Sequence, residues 1–201
     1  MKEKLAVVLV CCGILFVSEL SARVQNAYVS IVNPFAVYID NASSKNHFYP
    51  SGWIGDYGDI KLVQNDTNAY LGSTCIKISY SAKASQNAKW AAVYWQFPSR
   101  NWGESPDGFN LTGARKLTFY ARGERGGEKI AHFKIGGIGG EYPDSDSAQI
   151  GPIELTRGWR QYTIDLRDCD LTKISGGFCV AFNKDDNPSG FTIYLDEIVY
   201  Q

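Results

Sequence analysis

The stretch WAAVYWQFPSRNWG, Trp90 to Gly103, decides how the rest of the chain is read. From Trp90 to Phe97 the residues suit a strand, whose side chains point to alternate faces with a period of two. Ala91, Val93, Trp95 and Phe97 then share one face, and Trp90, Ala92, Tyr94 and Gln96 share the other. The first set is wholly apolar and reads as core. The second mixes aromatic rings with an amide, an odd choice for a plain solvated face. Past Phe97, Pro98 and Gly103 mark a turn region. Trp102 stands in it, either as a cap on the core or as the wall of a site.

The same alternation recurs in CIKISYS, KLTFYARG, AHFKIGG, RQYTIDL, GGFCVAF and FTIYLDEIVY, with further strands expected in AYVSIVNPFAVYID, GDIKLV and GPIELT. In KLTFYARG, Leu117, Phe119 and Ala121 oppose Lys116, Thr118, Tyr120 and Arg122. In AHFKIGG, Phe133 and Ile135 oppose His132, Lys134 and Gly136. Long stripes of helical period are missing, and turn-rich joints such as GERGGE, GGIGGEYPDSDS and NKDDNPSG separate the strands. This pattern predicts an all-β protein: a β-sandwich or jelly roll of two antiparallel sheets over one core.

The amino terminus predicts secretion. Lys2 and Lys4 precede the apolar run Leu5–Val17, and SELSA follows, which is the order of a signal peptide ending at Ala22. The run is shorter than the roughly 20 residues of a membrane helix, so no membrane span is expected. A lipid anchor through Cys11 or Cys12 is disfavoured because bulky Val10 precedes them. The expected organisation is a signal peptide at 1–22, an extension or first strand at 23–36, and the jelly roll at 37–201. The product would be extracellular or periplasmic, and a monomer. With 20 basic and 21 acidic residues and no basic block, nothing suits a nucleic-acid partner. Cys75, Cys169 and Cys179 remain after processing, an odd number that allows one disulfide at most.

Catalytic signals are weak. His47 and His132 are far apart without metal-ligand spacing, there is no Gly-x-Ser-x-Gly turn, and GGIGG at 136–140 lacks the dinucleotide pattern. No catalytic residue is assigned. Loop carboxylates at Glu104, Glu128, Glu141, Asp144 and Asp146 keep open a small glycoside hydrolase or polysaccharide lyase. Asp196 falls within the apolar terminal strand, where an unmatched carboxylate is costly. A calcium ion would answer that cost, with oxygen ligands from Asp40 or from Asp56 and Asp59, and a hydrogen-bonded carboxylate would answer it equally. Sugar binding has the best chemical fit. A pyranose offers an apolar C–H face and a rim of hydroxyls, so it needs aromatic platforms flanked by polar groups. Trp90, Tyr94, Gln96, Tyr120, Arg122, His132 and Lys134 carry that chemistry on the non-core face of their strands, and the loop aromatics Trp53, Tyr57, Trp102 and Tyr142 would extend it.

Taken together, WAAVYWQFPSRNWGE, FNLTGARKLTFYARGERGGE, FKIGGIGG, LTRGWRQYTIDL, DLTKISGGFCVAFNKDDNPSG and FTIYLDEIVY resemble, in order and spacing, a secreted group of carbohydrate-binding-module-like domains with the galactose-binding-type β-jelly roll. HFYPSGWIGDYGDIKL fits its amino-terminal part, so the resemblance covers residues 37–200. It implies noncatalytic binding of a polysaccharide or oligosaccharide on a sheet face or loop rim. It also implies a structural Ca2+ near the termini, with Asp196 and, by a looser match, Asp40 as ligands. A structural envelope or adhesion domain is the remaining alternative.

Overall fold

The computed structural model describes residues 34–201. The expected signal peptide, and all of the expected extension before Pro34, lie outside the described residues. Thirteen strands follow: β1 (Phe35–Tyr38), β2 (Tyr49–Gly55), β3 (Ile60–Asp66), β4 (Cys75–Tyr80), β5 (Trp90–Gln96), β6 (Lys116–Gly123), β7 (Lys129–Ile130), β8 (His132–Gly136), β9 (Ser147–Ile150), β10 (Ile153–Glu154), β11 (Arg160–Asp165), β12 (Gly176–Asn183) and β13 (Phe191–Tyr200). One 3-10 turn, Tyr57–Asp59, precedes β3.

Eleven of the strands form two antiparallel sheets that pack face to face, and β7 pairs with β10 as a separate two-stranded sheet. One has five strands in the order β2-β5-β12-β8-β9; the other has six, β11-β6-β13-β4-β3, with β1 added against β13. Along one edge β13 pairs with β6, while its other edge meets β4 at Phe191–Leu195 and then β1 at Ile198–Tyr200. The change of partner coincides with a bulge after Asp196, where Glu197 adopts a φ of +50°. A bulge breaks the ladder and turns the strand locally. It lets one long strand serve two neighbours.

Alternation sorted core from surface as expected. Ala91, Val93 and Trp95 of β5, Leu117, Phe119 and Ala121 of β6, and Phe133 and Ile135 of β8 are buried in a single cluster. At its centre Phe178 lies 5.6 Å from Trp95, 5.2 Å from Phe119 and 5.9 Å from Phe133 between ring centroids. Tyr200 is also buried there and satisfies its hydroxyl by donating to the Gly177 carbonyl at 2.6 Å.

Three strands escape the sequence pattern. β2, with sequence YPSGWIG, carries a Pro and two Gly residues that read as a turn, yet it forms an edge of the five-stranded sheet. An edge strand has one side free of ladder bonds, so Pro50 is tolerated. β7 and β9 are too short for alternation to register. The register of β2 overturns the expected role of Trp53: it pairs with Val93 and therefore points inward, packed against the core. Cys75, Cys169 and Cys179 are all free.

Candidate functional site: the outer face of the five-stranded sheet

Strand register sets the outward side chains in rows. Trp90 lies beside Asn183. The next row runs Ile54, Ala92, Ala181, His132. The row after it runs Gly52, Tyr94, Cys179, Lys134, Gln149. Tyr49 and Gln96 stand opposite each other beyond that.

Two loops lie over part of this face and create a second, smaller apolar cluster. Trp102 meets Tyr94 edge to face, with centroids 5.7 Å apart, and Ile138 joins them over Ala92, Cys179 and Ala181. The Trp102 loop is organised by buried Asn101, whose side-chain oxygen accepts the N–H groups of Gly103, Glu104 and Ser105 at 3.0–3.2 Å. The second loop, 137–146, is tied down by Asp144. Its carboxylate accepts from the backbone of Ile138, Ser175 and Gly176 and from the Ser175 hydroxyl. The loops meet at Gly103, where φ is +84° and a Cβ would fall 1.7 Å from the Gly139 carbonyl oxygen. No side chain fits there.

What stays open is a set of rings and polar groups. Trp90 is 43 % exposed and Tyr142 37 % exposed, while Trp102, His132 and Lys134 are half-buried and Gln149 is exposed. Burial, and then the neighbouring Lys134 charge, lowers the pKa of His132. Near pH 7 its ring is therefore neutral and offers one donor and one acceptor.

Several expected site residues do not belong to this surface. Tyr94 is only 8 % exposed, and burial pushes its hydroxyl well above the usual tyrosine range; it supports Trp102 from beneath. Gln96 is fully buried and engaged, accepting from the Ser51 hydroxyl at 2.9 Å and donating to the Asn101 carbonyl at 3.0 Å. Tyr120 and Arg122 point outward as expected, but from β6, so they occupy the outer face of the opposite sheet. Alternation along one strand says which residues turn away from the core; it does not say which sheet the strand has joined. Tyr49, 53 % exposed, and Gln149 join the site although the sequence reading passed over them. Their strands, β2 and β9, are among the three that escape the sequence pattern.

Three of the five loop carboxylates serve the scaffold, while Glu104 and Glu141 are exposed. Besides Asp144, Asp146 accepts from Ser147 and Asp170 N–H groups, and Glu128, only 4 % exposed, accepts the Arg125 N–H at 2.8 Å.

The expected calcium ligands are likewise engaged. Asp196 is fully buried; its Oδ2 accepts the N–H groups of Tyr70 at 2.8 Å and Leu71 at 3.1 Å, and its Oδ1 that of Glu197 at 2.9 Å. Asp40 Oδ1 accepts the N–H groups of Ser73 and Thr74 and the Thr74 hydroxyl. Three of the four carboxylate oxygens thus face N–H donors, whereas calcium needs six to eight oxygen ligands around it. Among the described residues no group of three or more His, Cys, Asp or Glu could hold a metal ion. These amide donors answer the Asp196 charge only in part, since burial and then, more weakly, the neighbouring Asp40 charge still raise its pKa.

The fold is that of carbohydrate-binding modules. A family 30 carbohydrate-binding module matches with a TM-score of 0.60 at 15 % identity, over 85 % of this chain and 99 % of that one. The family 30 module of a cellulosomal cellulase of Clostridium thermocellum matches with a TM-score of 0.58 at 15 % identity, over 85 % and 98 %. The family 11 module of another cellulosomal cellulase of the same organism gives 0.52 at 13 %, over 84 % and 94 %. No protein-family model matches the sequence. Nor does any curated protein match it.

Proposed function

We propose that this protein is a secreted module that binds a polysaccharide or oligosaccharide, without cleaving it, on the outer face of its five-stranded sheet. The observation that carries the reading is the pair of indoles on one face. Trp90 is open at one end of β5, and Trp102 lies over Tyr94 four residues along, about 13 Å away at the strand rise. His132, Lys134 and Gln149 stand beside them with hydrogen-bonding groups. Rings of this kind stack on the apolar faces of sugars, and the polar groups reach their hydroxyls. The fold it shares with carbohydrate-binding modules supports the reading. Binding without cleavage is favoured because Asp144, Asp146 and Glu128 are committed to holding loops, which leaves exposed Glu104 and Glu141 as the loop carboxylates on which a cleavage reading would depend. Among the described residues, no helix is long and apolar enough to cross a membrane.

Each ring contributes about 1 kcal/mol beyond area burial, so two platforms add about 2 kcal/mol, roughly thirtyfold in affinity, to what burial alone supplies. Calorimetric titration across a panel of neutral polysaccharides tests this. Trp90→Ala should weaken binding about tenfold with little change in melting temperature. Unchanged affinity would overturn the assignment of the site. Release of new reducing ends or unsaturated products from any member of the panel would favour the hydrolase or lyase reading instead.

A further inference from the structure

The outer face of the six-stranded sheet carries a second aromatic surface. Tyr70 stacks on Tyr120 with centroids 3.6 Å apart and planes at 15°. Trp159 meets Tyr70 at 6.1 Å and 63°. The Arg122 guanidinium lies 3.9 Å from the Tyr194 ring and 5.5 Å from Trp159, and the Lys77 amine is 5.5 Å from Tyr194.

This surface is held in place at a cost. Tyr70 is 43 % exposed and Leu71 58 % exposed, on a loop where apolar groups would be expected to turn inward. The loop is held because the N–H groups of Tyr70 and Leu71 both donate to Asp196, a fully buried carboxylate. Tyr120 covers one face of the Tyr70 ring, so a ligand meets the other.

Lys77 is paired with a carboxylate, but Arg122 is incompletely answered. The Arg122 side chain is 16 % exposed, yet its five donors make one hydrogen bond, a 3.4 Å contact to the Gly123 carbonyl, and its nearest carboxylate, Glu124, is 3.9 Å away. Lys77 stands 3.4 Å from Asp66, and Lys61 projects from β3 on the same face. Guanidinium donors left open beside an exposed ring are complementary to a ring-shaped ligand that also bears a carboxylate.

We infer that this face is a second glycan site, specific for acidic polysaccharide: a uronic-acid ring stacks on Tyr70, with Trp159 against its edge, while its carboxylate meets Arg122. It rests on the same stacking chemistry as the first site but on none of its residues. With sites on opposite faces, one molecule would bridge two polysaccharide chains.

Polygalacturonate and alginate serve as acidic probes, and a mixed-linkage β-glucan as the neutral one, each measured by calorimetric titration and affinity electrophoresis. Wild-type protein should bind an acidic probe, with affinity falling several-fold from 50 to 500 mM NaCl as surface charges are screened. Tyr70→Ala and Arg122→Gln should each lose at least tenfold on it, and Trp90→Ala should not. Circular dichroism checks folding; should Arg122→Gln fail to fold, the exposed Tyr70→Ala decides alone. Equal binding by wild type and Tyr70→Ala, or no binding of either acidic probe, overturns this inference. Loss of the neutral glucan in Trp90→Ala alone would at the same time leave the first site standing. A Trp90→Ala protein that keeps the neutral glucan would remove the first site and leave this one.

Discussion

At the scale of single residues, Gln96 and His132 show how an outward-facing position acquires opposite roles. Both lie on the non-core side of their strands, and both have the side-chain chemistry of a sugar ligand. Gln96 spends its amide between Ser51 and Asn101, bridging β2 to the Trp102 loop. Gln96→Ala would leave buried donors and acceptors unmatched, so it should cost about 1–3 kcal/mol in denaturant unfolding while glycan affinity changes only through the loop. His132 keeps its ring free. Its pKa is lowered in the folded protein, so the unfolded chain takes up a proton first as the pH drops below about 6.5. Stability should therefore fall with acidification through the window just below that value, and His132→Gln should flatten this part of the melting profile. An unaltered slope in the variant would show that His132 does not titrate in the folded state as its surroundings require.

At the scale of elements, the terminal strand governs a loop far away in sequence. Asp196 organises residues 70 and 71 from a position 126 and 125 residues along the chain, respectively. The sequence makes the cost of that carboxylate plain, since Leu195 and Ile198 flank the site in an apolar strand. Both a cation and a set of hydrogen bonds can meet such a cost, and the choice depends on where the 66–74 loop runs. Its N–H groups run across the carboxylate. Asp196→Asn replaces one acceptor oxygen with a donor facing other donors, and should destabilise by about 1–3 kcal/mol. A chelator should leave the wild-type melting temperature unchanged. A rise of several degrees on adding calcium would return the ion to Asp40 and Asp196. The missed strands teach a related lesson: β2 has turn-forming residues, and only the chance to pair with β5 from an edge makes it a strand.

At the scale of the whole molecule, the two sheets share one core and expose two chemically different outer faces. The five-stranded sheet presents indoles with neutral and cationic hydrogen-bonding groups; the six-stranded sheet presents a stacked tyrosine pair beside a guanidinium. The sequence by itself determined the all-β class, the antiparallel sandwich and most of the core. Period-two alternation is a local property of the chain, and burying Trp95, Phe119 and Phe133 needs no knowledge of their partners. Only the tertiary structure decided that Tyr120 and Arg122 stand on the opposite side from Trp90 and His132, that Trp53 turns inward, and that Tyr94 lies under Trp102. Those outcomes depend on pairing between strands far apart in sequence and on loops folding back over a sheet, and neither leaves a periodic trace in the residues themselves.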